Sequence, residues 1–400
     1  MTLPPSTARS RQTENAQAPA ASKPTGGEFH IPSLDGLRTV SFLLVFLAHV
    51  GLGDLIPGAF GVTVFFFLSG YLITTLLRIE RERTGGNSLR DFYLRRAFRI
   101  LPPFYAVLMF AYAVNLFGLV AGPLELSAAI SLLCHFSNYR FIHNPEGFPA
   151  GTVVYWSLAV EEHFYLVFPL LFVLLNRWLP KRRVSQAAVL LALCALVLCW
   201  RFTLIMVWHV PFMRLFMASD TRVDSILFGC VLALVGNPML DAWRGSRALW
   251  CYMIFPLGLA GLAVSFAFRA DWFRDGLRYS VQAIALIPLF VTAIRYPEWG
   301  PMQVLNWSVM RRLGLLSYSL YLCHQVVIFS IEHSFPRAGK ASIACAALGL
   351  SLALATLTQK FIERPSARAR RRWVTTAWLK PRAADTDVAP PVANAANVAF

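Results

Sequence analysis

Apolar runs long enough to cross a bilayer recur between residues 37 and 361, and that recurrence leaves this chain few folds to choose from. A hydrocarbon core offers no water to backbone N–H and C=O groups, so each lipid-exposed span must satisfy its own hydrogen bonds, as a helix or in a closed barrel. Uninterrupted apolar runs of about 17 to 22 residues, without strict alternation, select the helix. The runs fall at 37–53, 60–78, 101–121, 153–175, 187–208, 221–236, 248–268, 278–294, 314–332 and 341–361. Composition agrees, because 56% hydrophobic and only 14% charged residues is far from the balance of a water-soluble domain. The expected fold is therefore an all-α integral membrane protein of about ten transmembrane helices.

An even number of spans puts both termini on one side, and the basic residues name the side as cytoplasmic. With that orientation, the inner segments hold Arg78, Arg81, Arg83, Arg90, Arg95, Arg96 and Arg99, then Arg177, Lys181, Arg182 and Arg183, then the run from Arg364 to Arg382. The outer loops carry only scattered cations such as Arg140, Arg214, Arg269, Arg274, Arg337 and Lys340. The net charge of +16 thus reads as topology and attraction to anionic lipid, with no nucleic acid as partner. Residues 1–29 are rich in Ala, Ser, Thr, Pro and Gln and have the character of a disordered cytoplasmic tail. Residues 30–366 are expected to form the membrane domain, and 367–400 a basic and then disordered cytoplasmic tail, which leaves no expectation of a second folded domain. The seven cysteines show no C-x-x-C spacing, which argues against a metal centre or a disulfide framework; Cys134, near the outer face, remains open to an oxidant or a partner.

Ionisable residues inside such spans are the candidates for chemistry. Arg38 and His49 share the first span, eleven residues apart, or about 16 Å along a helix axis. That spacing predicts Arg38 at the inner surface and His49 near the midplane. Glu161, counted inward from the outer end of the fourth span, falls about 12 Å deep and so near the same level. Glu161 is therefore expected to orient the His49 imidazole, while Glu162, rotated by about 100°, points elsewhere. His49 otherwise packs as a neutral ring against a neighbouring helix, and a glutamate of the pair otherwise serves a structural arginine.

Arg96 and Arg99, three apart, share one helix face and suit the phosphates of a nucleotide-bearing donor, or else anchor the inner surface. Ser69, Gly70 and Tyr71 form a small-residue notch in the second span, which serves close helix packing or a narrow passage. Arg222 and Asp224, two apart, do not share a face and need partners on different elements. Together with His324 and Glu363 they are candidates for substrate contact or for interhelical bonding.

Taken together, these segments resemble the membrane-bound acyltransferase family 3, which O-acylates cell-surface sugars and glycosides. The resemblance covers roughly residues 31–366 and rests on seven motifs in order. They are Leu34-Asp-Gly-Leu-Arg38 with His49, Gly61-Val through Ser69-Gly70-Tyr71-Leu72, and Arg96-x-x-Arg99-Ile-x-Pro102. They continue as Trp156-Ser-Leu-x-Val-Glu161-x-x-Phe-Tyr165, Thr221-Arg222-x-Asp224, Ser317-Tyr-Ser-Leu-Tyr-Leu-x-His324 and Ile362-Glu363-x-Pro365. One departure is Gln325-Val326 after His324, where the family often has a proline.

The resemblance implies a ten-helix O-acyltransferase of a bacterial inner membrane. It implies an acyl-CoA donor, usually acetyl-CoA, no resident cofactor or metal, and a carbohydrate or glycoside acceptor. His49 becomes a general base or a transient acyl carrier, with Arg38 on the donor or the oxyanion and Glu161 behind the base. Arg96 and Arg99 hold the donor phosphates, and Arg222 and Asp224 face the acceptor. The rival reading is a glycolipid transporter or flippase using a buried His/Glu relay. A scaffold role leaves the buried His49 and Glu161 unexplained. The acceptor, the acyl length and the oligomeric state are not legible from the sequence.

Overall fold

Pro32 opens the first helix at a position where its missing N–H is no loss, and Asp35 in the same turn complements the positive end of the helix dipole. The computed structural model describes residues 31–374 apart from positions 121 and 244. Residues 1–29 and most of the C-terminal tail lie outside the described residues. Ten helices make the body: α1 Pro32–Leu52, α2 Gly58–Thr84, α3 Leu89–Leu116, α4 Tyr155–Trp178, α5 Arg183–Met206, α6 Ser219–Leu234, α7 Arg247–Ala267, α8 Trp272–Arg295, α9 Ser308–Ser334 and α10 Lys340–Trp373. Among the described residues there is no strand. The protein is all-α, and nine of these helices are long and apolar enough to cross a membrane.

The sixth is the exception, with 16 residues and so about 24 Å of length. It tolerates that shortness because it packs against α2, α4, α5 and α8, and most of its residues are buried in protein. The boundary expected at residue 366 falls inside continuous helix, since α10 runs through the arginine-rich segment Arg364–Trp373, which packs on α3.

The most extensive packing joins α2 to α6, and reciprocal glycines make it possible. A Cβ on Gly70 would overlap the Ile226 carbonyl, and one on Gly229 would overlap the Phe67 carbonyl. Small residues that let two backbones touch are the general device of helix association in membranes. A second crossing, of α1 with α9, is built the same way from Gly314 against the Asp35 carbonyl. We expect Gly70→Leu to separate α2 from α6 at a cost of about 1–3 kcal/mol or more, read as a lower thermal midpoint of the purified protein, whereas Gly86→Leu, with open space around it, leaves the midpoint in place.

The end of α2 is pinned to the chain after α6 by charge. Arg78 donates to Asp241 at 2.7 Å and also to the carbonyls of Ala233 and Leu234, which capping within α6 leaves open. Burial pushes the Asp241 carboxyl up, but the hydrogen bond and charge of Arg78, with smaller help from the Asn237 amide and Arg183, outweigh it and hold the group below the usual carboxylate range.

Helix α1 starts earlier than its hydropathy suggests, and this moves both Arg38 and His49 along it. Arg38 lies in the second turn and donates to Asp35 at 3.3 Å. His49 lies in the last, wide π-helical turn, Ala48–Leu52, beside the exposed segment 51–55. His49 therefore sits at the far end of the helix and not partway along it. Gly51, at φ +92°, allows the chain to leave that turn in a left-handed conformation.

Candidate active site

Side chains from α1, α2, α3, α4 and α9 enclose a narrow slot of about 100 Å³. Arg38, Arg96 and Arg99 supply its cations, Glu161 its carboxylate, and Ser69, Ser157, Tyr165 and Tyr318 its hydroxyls. The slot thus gathers five of the residues singled out from sequence. Glu161 accepts from Ser69 Oγ at 2.9 Å and from the Tyr165 hydroxyl at 2.9 Å, and that hydroxyl lies 3.1 Å from Ser69 Oγ. The Arg96 guanidinium stacks 4.4 Å from the centre of the Tyr165 ring. Stacking suits arginine's planar, weakly hydrated cation and fixes it beside the carboxylate.

The expected contact between Glu161 and His49 is absent. His49 instead lies 2.9 Å through Nδ1 from Nε2 of His324, with the two rings stacked at 15°. The tautomers follow from one anchor. His324 Nδ1 is 2.8 Å from the Tyr321 carbonyl, which only accepts, so Nδ1 of His324 carries the proton. A second proton would leave a charge on a ring with no exposed surface, so Nε2 of His324 is an acceptor. His49 must then donate from Nδ1, and its Nε2 keeps a lone pair. The role assigned from sequence to Glu161, holding the imidazole, is performed by His324.

His49 lines a different and larger cavity, of about 850 Å³, at the end of the bundle where α1 finishes and α2 begins. Trp156, Phe216 and Tyr279 give it an aromatic wall, and Arg269, Arg274, Arg278, Gln282 and Gln325 give it polar groups. Aromatic faces among hydrogen-bonding groups suit a ligand with both apolar and hydroxyl-bearing faces. Two residues, Val62 and Tyr321, line both the slot and this chamber. Tyr321 is held in that wall by Ser157, 2.7 Å from its hydroxyl, and by the Val154 carbonyl at 3.2 Å, while its own carbonyl anchors His324.

The remaining candidates lie outside both cavities. Gly70 faces α6, and the fully buried Tyr71 donates to Asn237 at 3.0 Å, so of the notch only Ser69 reaches the slot. Arg222 and Asp224 do find partners on different elements. Arg222 donates to Thr63 at 3.2 Å and lies 3.8 Å over the ring of Tyr279, so it backs the aromatic wall of the chamber without entering it. Asp224 lines neither cavity; Arg201 binds both its oxygens, at 2.7 and 3.2 Å, and Ser280 donates to it at 2.7 Å. Glu363 accepts from Ser319 at 2.5 Å and borders a third, basic cavity with Arg99.

Sequence reading passed over Arg201, although a lone arginine in the run 187–208 is itself a signal. Tyr321 stood inside the Ser317–His324 motif and was not singled out, because a sequence does not state which cavities a tyrosine side chain borders. Among the described residues no group of three or more His, Cys, Asp or Glu is placed to hold a metal.

Fold and cavities together define a multi-span membrane protein in which an arginine-lined slot and a histidine-bearing chamber share a wall. The chain belongs to the family described as an acyltransferase domain, whose model matches residues 31–360. It is 28% identical, over 84% of its length, to the peptidoglycan O-acetyltransferase OatA of Listeria monocytogenes, and 30% identical, again over 84%, to the O-acetyltransferase OatA of Staphylococcus aureus. The chain spans 56% and 57% of the lengths of those two relatives. No solved structure matches it.

Proposed function

We propose that this protein transfers an acetyl group from acetyl-CoA to a hydroxyl of a cell-envelope carbohydrate, in a bacterial inner membrane with both termini in the cytoplasm. The observation that carries the reading is the wall of Val62 and Tyr321 shared by the two cavities. A thioester arm in the slot and a sugar in the chamber come within one side chain of each other. Arg38, Arg96 and Arg99 hold the donor from the arginine-rich side, which the distribution of basic residues makes cytoplasmic.

His49 acts as general base from the chamber side. The acceptor hydroxyl gives its proton to Nε2 of His49 as its oxygen attacks the thioester carbonyl. The new C–O bond forms, the C–S bond breaks, and the proton passes to the departing sulfur. Glu161, Ser69 and Tyr165 form the polar lining that fixes Arg96 along the slot. The names of the relatives make peptidoglycan the first acceptor to try. A transporter relay needs His49 and Glu161 in one chain of bonds, and their separate partners give it no support.

The test is transfer of label from radioactive acetyl-CoA in membranes containing the protein, with product sought in peptidoglycan, other polysaccharide, glycolipid and small-glycoside fractions. Label is expected in one fraction. In Arg99→Ala it falls by about tenfold or more at low donor concentration, the equivalent of one charge-assisted hydrogen bond or two. Equal labelling of wild type and Arg99→Ala, with glycolipid movement across the membrane depending on His49, would overturn the acyltransferase reading.

A further inference from the structure

The third cavity, of about 370 Å³, lies between α3, α9 and the arginine-rich end of α10. Five guanidinium groups border it, from Arg99, Arg364, Arg368, Arg370 and Arg371, against the single carboxylate of Glu363. Arg364, Arg368 and Arg371 follow a spacing of four and then three, which puts them on one helix face. That helix is held against α3, the element that carries Arg96 and Arg99. The family match stops at residue 360, so Arg364, Arg368, Arg370 and Arg371 lie beyond the stretch it covers.

Three observations point to one ligand. Arg99, Arg364 and Arg368 border one space, and a polyanion with several phosphates is the ligand that guanidinium groups bind through bidentate, charge-assisted hydrogen bonds. The volume is in the range of ligand sites, whereas the neighbouring slot, at about 100 Å³, admits a thin arm and no nucleotide. Arg99 lines both spaces, so the basic cavity and the slot adjoin at that residue.

We propose that the cavity between α3 and the Arg364–Trp373 segment binds the phosphate-bearing nucleotide end of the donor, leaving its thioester arm to run past Arg99 into the slot. This deepens the acetyl-CoA reading above and rests on it. The three cavities then form one line, with phosphates at Arg364 and Arg368, the arm between Arg38 and Glu161, and the acceptor at His49. An anionic lipid headgroup offers the same phosphate chemistry, and the test separates the two.

The full chain is placed in nanodiscs of phosphatidylcholine, and initial rates are measured with acetyl-CoA and with S-acetylpantetheine, which lacks every phosphate. For the double variant Arg364→Gln/Arg368→Gln the KM for acetyl-CoA rises by about tenfold or more, with kcat kept, and the KM for S-acetylpantetheine does not move. Equal shifts for the two donors would mean damage to the fold, and no shift for acetyl-CoA would mean no subsite; either overturns the proposal while leaving the donor reading intact. A difference between variant and wild type that emerges only in nanodiscs containing phosphatidylglycerol would assign the arginines to lipid and overturn it too. Wild-type protein that uses neither donor would overturn the donor reading, and this inference with it.

Discussion

His49→Ala reduces acetyl transfer by about 10²–10⁴-fold, the usual contribution of a positioned general base, while the donor KM stays near that of the wild type. The split is expected because His49 lines the chamber, proposed for the acceptor, while Arg38, Arg96 and Arg99 line the slot, proposed for the donor. Among the described residues the His49 side chain makes one hydrogen bond, to His324, and it lies at the end of α1, so its truncation leaves the crossing of α1 with α9 in place. A variant that is folded, binds donor and transfers nothing is the expected result, measured by rates under donor saturation with thermal midpoints alongside. A His49→Ala protein with wild-type turnover would remove His49 from the mechanism.

His324 supplies the contrast. Its bond to His49 fixes which nitrogen of the base is free, and one hydrogen bond of about 0.5–1.5 kcal/mol corresponds to a loss of roughly two- to twelvefold. In the proposed mechanism His324 is a positioning residue, bonded to His49 and anchored on the Tyr321 carbonyl. Transfer by way of an acyl-His49 intermediate would use the same free Nε2 and differ only in a species that mass spectrometry detects after rapid quenching.

Much of this was legible from residues alone. The spans follow from hydropathy because bilayer thickness dictates helix length, and α6, short by that rule, still stood out as an apolar run. The slot was legible in its members, since Arg38, Ser69, Arg96, Arg99 and Glu161 are polar groups in apolar segments and converge as such groups tend to do. Their pairing was not. Glu161 and His49 were matched by counted depth, and the count began in the wrong place: α1 starts at Pro32, which carries His49 to the end of its helix and toward His324. Depth fixes one coordinate, and rotation about the helix axis and the neighbour it faces depend on packing that a single sequence does not state. Gly70 and Tyr71 teach the same lesson, adjacent to Ser69 in sequence and turned away from the slot toward α6 and Asn237.

Asp224→Ala tests how much the body of the fold depends on charge buried beside the site. Asp224 and Arg201 have no exposed surface, and the ion pair is closed by Ser280, which donates to Asp224 and accepts from Arg201 at 2.5 Å, and by the Thr221 carbonyl. Removing the carboxylate strands the Arg201 cation with neither water nor a counter-charge, and a loss of about 3–5 kcal/mol is expected. Asp224→Asn keeps the shape and most hydrogen-bonding capacity but still leaves the charge unbalanced, so it falls close to the alanine variant. The double change Asp224→Leu/Arg201→Met removes both charges and recovers most of the loss, because a buried pair costs nearly as much to desolvate as its attraction returns. Thermal midpoints of the four proteins in one detergent decide it: a single variant as stable as the wild type would show that the pair is not desolvated. Arg222 shares helix α6 with Asp224 and stacks on Tyr279 in the chamber wall, so loosening this pair also disturbs the acceptor side, and the surviving folded fraction of Asp224→Ala should show a raised acceptor KM with the donor KM unchanged.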